Sequence, residues 1–267
     1  MTGTVTSADG TPIGYTRAGS GPVVILVDGA LNDRALNGPN PRLAAVLAAG
    51  LTVYTYDRRG RGHSGDTLPY AVEREIEDLE ALITAAGGTA AVYGISSGGA
   101  LALEASNRLR SISRLAVYEV PFVTDGSRPP IPDEFAGNLA SLAEDGRRAE
   151  AVRYFFTAGI GLPRIFVAVM RLMPAWSKLT GLAHTLPYDA RLIGQGGAGR
   201  PLPPGRWAGV TIPVLVLAGG KSPAWMRTAM HSLAAVLPTA EHRVLEGQTH
   251  LVKPAALAPV LAEFFST

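Results

Sequence analysis

Short apolar runs alternate with amphipathic helical stripes along most of this chain, and that alternation limits the folds open to it. "VVILV" (23–27), "LTVYTYD" (51–57), "TAAVYGI" (89–95), "RLAVYEV" (114–120) and "TIPVLVLAG" (211–219) are continuous and rich in β-branched residues. Such runs fit strands buried on both faces. Helical stretches separate them: "RLAAVLAAG" (42–50) stops at Gly50, and 70–88 places apolar residues at 72, 76, 79, 82 and 83. Residues 99–109, 224–237 and 254–265 read the same way, and "AEHRVLEG" (240–247) supplies a last strand. At the start, "TVTSADG" and "IGYTRAGSG" read as a hairpin closed by glycine turns. The expectation is an α/β fold, a mostly parallel eight-stranded sheet flanked by helices.

One block departs from this rhythm. Between "SRPPIP" (127–132) and "RPLPPG" (200–205) no strand is expected, and 133–158 and 163–184 read as helices interrupted by Gly and Pro. The expected organisation is a core domain of residues 1–121 and 207–267, with a helical cap, 122–206, inserted after the sixth strand.

Composition removes several function classes. Lys plus Arg is 24 against 22 for Asp plus Glu, with no block of five like charges, so nucleic acid is not an expected partner. No cysteine is present, so thiol nucleophiles and thiolate metal sites are absent. The N-terminal stretch has no secretory pattern, and no apolar run nears the ~18 residues of a spanning helix. The expectations are a cytoplasmic protein, no membrane partner, no metal or cofactor, a small-molecule substrate, and a homodimer as the further association to consider.

The chemistry concentrates at Gly94-Ile95-Ser96-Ser97-Gly98, a G-x-S-x-G sequence set between a strand and a helix. In that setting the central Ser96 is the candidate nucleophile, on a turn too tight for side chains at its two glycines. The plainer alternative is a glycine turn with incidental serines. The N–H of Ser97, at the helix start, is then a candidate oxyanion donor. A serine hydroxyl needs a base. Of the five histidines, His250 closes "LEGQTH", a loop opening at the carboxyl edge of the sheet, and is the candidate. His63, in "RRGRGHSG", is the weaker rival; His231 and His242 sit on elements, and His184 lies in the cap.

Together these residues resemble the α/β-hydrolase fold superfamily across nearly the whole chain. "VVILVDGA" stands where its oxyanion strand and loop belong, "YDRRGRGHS" follows the next strand, "GISSGG" is the nucleophile elbow and "GQTH" the histidine loop. The chain looks most like small esterase and lactonase-like hydrolases of high-GC bacteria. The resemblance implies Ala30, or its neighbour Leu31, as the second oxyanion donor. Two positions depart from it. Asp28-Gly29 replaces the His-Gly of many relatives, which puts a carboxylate near the site. Ser222 stands where the usual triad aspartate is expected, after "PVLVLAG".

Glu119 is the candidate for the missing acid. It ends an otherwise apolar strand, where a charge is costly unless paired. A strand-end glutamate followed two residues on by Pro121 resembles one group of haloalkane dehalogenases, which share the fold and take their acid from this strand. Asp125 and Asp189 are the rivals. The cap contributes Phe155, Phe156, Phe166, Met170, Met173 and Trp176, with Trp225 on the core. From these, Leu31, Met170, Met173, Trp176 and Trp225 are expected to line the substrate pocket. The expected activity is hydrolysis of an ester, lactone or thioester of a small to medium apolar substrate. A lyase, cyclase or acyltransferase using the same serine and histidine, and a non-enzymatic ligand receptor, are the alternatives.

Overall fold

The computed structural model describes residues 1–36 and 39–266. Eight strands form one sheet: β1 (Thr2–Thr6), β2 (Pro12–Ala18), β3 (Val23–Val27), β4 (Thr52–Tyr56), β5 (Ala90–Ile95), β6 (Ile112–Tyr118), β7 (Val214–Gly219) and β8 (Ala240–Leu245). Their order is β1-β2-β4-β3-β5-β6-β7-β8. β1 and β2 pair antiparallel, β2 joins β4 antiparallel, and all later pairs are parallel. Every residue of β4, β5 and β7 is buried, as their unbroken apolar runs require, while β1 and β8 are partly exposed edges.

The core helices are α1 (Pro39–Leu47), α2 (Val72–Ala85) and α3 (Ser97–Ser106), and, after the segment described next, α9 (Ala224–Val236) and α10 (Pro254–Ser266). Alternate strand residues serve the two faces of the sheet. Ile25 and Val27 pack with Leu79, Leu101 and Leu233 of α2, α3 and α9. Val24 and Leu26 pack with Leu43, Leu257 and Leu261 of α1 and α10.

Between β6 and β7 the described residues form helices and no strand. These are α4 (Phe135–Glu144), α5 (Arg148–Tyr154), a π-helical turn (Phe155–Gly159), α6 (Arg164–Met170), α7 (Trp176–Gly181) and α8 (Leu186–Ile193). The two helical stretches expected from sequence are thus cut into shorter pieces. Gly146, at φ +70°, separates α4 from α5, and Pro163 and Pro174 stand in the breaks before α6 and α7. Helix also extends past the expected end at 184, because Pro187 falls in the first turn of α8, where a missing N–H costs nothing. The segment has its own apolar cluster, in which Phe135, Leu139, Val152 and Leu186 surround Leu31.

Candidate active site

Three adjacent strands, β3, β5 and β6, end side by side, and the backbone is strained just beyond each. Among the described residues only Leu31, Ser96 and Glu119 are non-glycine with positive φ, at 57°, 58° and 47°. Such conformations cost of order 1–3 kcal/mol each and persist where the surroundings over-determine them. Ser96 sits between β5 and α3 with ψ −129°. Its flanking glycines are required by space. A Cβ on Gly94 would lie 2.5 Å from the Gly98 carbonyl oxygen, and one on Gly98 would lie 2.5 Å from those of Val27 and Asp28. Ser97 opens α3, so its N–H has no acceptor within the helix.

The structure brings Glu119 and His250 together. Glu119 is fully buried. One carboxylate oxygen accepts the Gly219 N–H at 2.7 Å, and the other lies 2.9 Å from His250 Nδ1. The histidine loop is tied to the same strands: the Tyr118 hydroxyl donates to the Thr249 carbonyl at 2.7 Å, and the Lys221 N–H to that of Gln248 at 2.8 Å. Ser222, in the usual acid position, is buried with no partner for its hydroxyl among the described residues.

The rival residues are engaged elsewhere. His63 is 82% exposed on its side chain. His184 Nε2 contacts the Gly60 carbonyl at 2.9 Å. His231 and His242 meet edge to face at 5.9 Å, and burial, with His231 alongside, lowers the pKa of His242. Asp125 binds Ser127 in its own turn.

A cavity of about 440 Å³ opens beside Ser96, with Ala30 and Ser97 also in its wall. Its apolar side is Ile131, Phe135, Phe155, Ile160 and Ile193, and Asp133, Arg191 and Arg200 add charge. The expected pocket residues need correction. None of Leu31, Met170, Met173, Trp176 and Trp225 lines this cavity. Leu31 turns into the apolar cluster of the helical segment, where Trp176 packs at the margin. Met173 is 54% exposed, and Trp225 stacks on the Arg128 guanidinium. Phe166 faces solvent at 61%. Large side chains on short helices carry no sequence mark of which face meets the sheet.

A profile of the Alpha/beta hydrolase family matches residues 34–260. The chain belongs to that family. It is similar to the crystal structure of an alpha/beta hydrolase from Sphaerobacter thermophilus, with 52% identity, 98% of this chain and 100% of that one covered, and a TM-score of 0.90. A thermophilic esterase from Thermogutta terrifontis matches at 22% identity over 100% and 98% of the two chains, TM-score 0.68. The enol-lactonase from Burkholderia xenovorans matches at 21% over 99% and 100%, TM-score 0.69. These last two share the fold. No curated protein matches the sequence.

Sequence reasoning missed one part of this hydrolase-family site. The loop after β4 sends Arg58 and Arg61 inward, each 1% exposed. Arg58 forks onto Glu75 at 2.6 and 2.7 Å and donates to Asp189 at 2.6 Å. Arg61 donates to the other Asp189 oxygen and to the Gly29 carbonyl, both at 2.7 Å. The Ser97 hydroxyl donates to Asp189 at 2.7 Å. Burial would raise the pKa of Asp189, but Arg61 and Arg58 hold it below the ordinary value. Asp189, weighed in the sequence as a triad acid, is therefore spent on α8 as a tie between the helical segment, the Ser96 turn and the loop after β3. The Gly29–Ala30 peptide is trans, so its N–H points opposite to its carbonyl. Arg61 on the Gly29 carbonyl thus fixes which way the Ala30 N–H faces. The available signal was "RRGRG" itself: arginines in a tight glycine loop that must find carboxylates if buried.

Proposed function

We propose that the protein is a serine hydrolase that cleaves an ester, lactone or thioester of a small to medium apolar substrate through an acyl intermediate on Ser96. The observation that carries this reading is the convergence at one sheet edge of the strained Ser96 with His250, whose Nδ1 lies 2.9 Å from the buried Glu119 carboxylate.

The roles follow from chemistry. Glu119 accepts the Nδ1–H of His250, which leaves Nε2 as the bare, basic nitrogen. Nε2 takes the Ser96 proton as the hydroxyl oxygen adds to the substrate carbonyl. The N–H groups of Ser97 and Ala30 hold the resulting oxyanion. The imidazolium returns the proton to the leaving alkoxide or thiolate as its bond to carbon breaks. Water repeats the sequence on the acyl-serine and releases the acid. A volume of about 440 Å³ with walls of Phe135, Phe155, Ile131 and Ile160 suits an apolar acyl or ring group. The names of the esterase and enol-lactonase neighbours are in keeping with this chemistry.

The test combines a fluorophosphonate probe with a panel of p-nitrophenyl esters and lactones of rising acyl length. Labelling of the native protein and none of Ser96→Ala is expected, with turnover of at least one ester. A native protein that takes no label and turns over no member of the panel would sink the reading in favour of a receptor.

A further inference from the structure

A second surface stands apart from this cavity. Residues 151–188 contain no acidic residue, and their charged side chains are Arg153, Arg164, Arg171 and Lys178. The same stretch exposes apolar side chains densely. Ile165 is 68% exposed, Phe166 61%, Val169 55%, Leu172 85% and Met173 54%, all within nine residues. These are five of the ten large apolar side chains exposed among the described residues. They belong to α6 and the turn after it, which Val167, 1% exposed, anchors to the fold. Contiguous exposed apolar surface on a soluble domain marks a contact surface.

Its charges say what kind. Arg153, Arg164 and Arg171 surround a shallow hollow floored by Val167 and Ala168. Arg164 and Arg171 have no carboxylate partner among the described residues. Arg153 reaches only Glu150, at 3.4 Å, and Arg147 already holds that carboxylate through two bonds at 2.9 and 2.7 Å. In a two-fold contact made through this stretch, the Arg and Lys charges on both sides would be cationic, with no acid from the stretch to offset them. An anionic layer with an apolar interior satisfies both halves of the surface.

We propose that α6 and the following turn are a peripheral docking surface for an anionic lipid layer. Headgroup phosphates occupy the hollow between Arg153, Arg164 and Arg171, and Ile165, Phe166, Val169, Leu172 and Met173 enter the acyl boundary. No helix among the described residues is long and apolar enough to cross a membrane, and docking of this kind needs none. The sequence, read for spanning runs, gave no reason to expect a membrane partner. The surface stands or falls independently of the serine chemistry.

The test is co-sedimentation of the full chain with vesicles of phosphatidylcholine, with and without phosphatidylglycerol. Binding is expected only to the anionic vesicles and should weaken as salt is raised, since the Debye length shrinks. Each arginine contributes roughly fivefold to partitioning, so Arg164→Glu with Arg171→Glu should lower it by at least ~25-fold. Phe166→Ser with Leu172→Ser should abolish it. All four side chains are exposed, and an unchanged circular dichroism spectrum and melting temperature will show that the variants fold. Four results would overturn the proposal. They are no vesicle binding by the native protein, equal binding to both vesicle types, binding of inorganic phosphate without vesicle binding, and a dimer that Phe166→Ser with Leu172→Ser converts to monomer.

Discussion

The carboxyl edge of the sheet and the helical segment that follows β6 are held by different means. At the edge, both Glu119 oxygens are engaged, the glycines around Ser96 have no spare volume, and three strained residues follow adjacent strands, with Ser96 in the cavity wall. The segment rests on an apolar cluster, and its charged tie to the edge is one buried carboxylate, Asp189. The difference is instructive. Reacting atoms need placement to a fraction of an ångström, which backbone strain and charged hydrogen bonds provide. A pocket wall needs only volume and apolarity, so short helices held by packing suffice. If this division holds, edge substitutions should lower kcat at nearly constant KM, and wall substitutions should do the reverse.

The largest expected effects lie at the edge. Ser96→Ala should lower kcat by on the order of 10⁶, with the fold intact by circular dichroism. Glu119→Gln keeps the shape but removes the charge that stabilises the imidazolium, and a loss of ~10³ or more in kcat is expected. Asp125→Asn should leave kcat near the native value. A Glu119→Gln enzyme within tenfold of native kcat would show that the contact with His250 is structural.

A smaller effect is expected where the two regions join. Arg61→Met removes the donor on the Gly29 carbonyl and one of the two cations on Asp189. Breaking a buried pair costs about 3–5 kcal/mol of stability. The reading that Arg61 orients the Ala30 N–H asks for more than destabilisation. In enzyme still folded, kcat should fall ~10²-fold, and affinity for a boronate analogue of the tetrahedral state should fall in parallel. Affinity for the product alcohol should not change. Loss of stability with kcat preserved would reduce Arg61 to a structural strut.

Smaller still is the expected effect of the wall. Phe155→Ala enlarges the cavity beside Ser96. It should raise KM for long acyl esters by about 10- to 100-fold, in line with about 1–3 kcal/mol per apolar contact, and leave acetate turnover nearly unchanged. Met170→Ala serves as the comparison, because Met170 lies outside the cavity wall, and it should leave the acyl-length profile as it was. An altered profile for Met170→Ala alone would move the pocket.

How far the sequence could be read follows the same division. The inner strands β3 to β7 were legible because each reads as a continuous, largely apolar run, and Ser96 because its glycines stand at fixed spacing between a strand and a helix. Glu119 stood out as a charge ending an apolar strand next to the nucleophile turn, and its carboxylate does meet His250. Arg58 and Arg61 were not legible as buried groups, because their partner Asp189 lies about 130 residues further on, in a helix not expected there. The wall was misread for a related reason. Met170, Met173 and Trp176 have the composition of a pocket, but short helices fix their faces only by tertiary packing.

The remaining prediction compares two buried carboxylates, one from each region. Asp189 comes from the segment with two arginines beside it, and its pKa is held below the ordinary value. Asp28 comes from the end of β3, is 2% exposed, and has no partner for one carboxylate oxygen among the described residues. Burial pushes its pKa up to about 7, outweighing the pull of Arg61 and Arg58, while Asp57 and Asp33 push the same way as burial. The two should act oppositely on stability. The tie through Asp189 is lost as pH falls through its lowered pKa. For Asp28 the folded chain keeps the proton up to about 7, whereas the unfolded chain gives it up near 3.8. Its stabilising contribution is therefore complete below pH 3.8, declines as pH rises through the interval, and is gone above about 7. At about 1.4 kcal/mol per pH unit, the decline amounts to about 4 kcal/mol. Asp28→Asn cannot ionise, so its melting temperature should draw level with the native protein near pH 4 and exceed it increasingly up to pH 7. Circular dichroism melts at intervals across that range will measure the gap. A gap that stays constant with pH would mean that Asp28 is ionised in the folded chain, with its carboxylate drawing on Arg58 and Arg61 as Asp189 does.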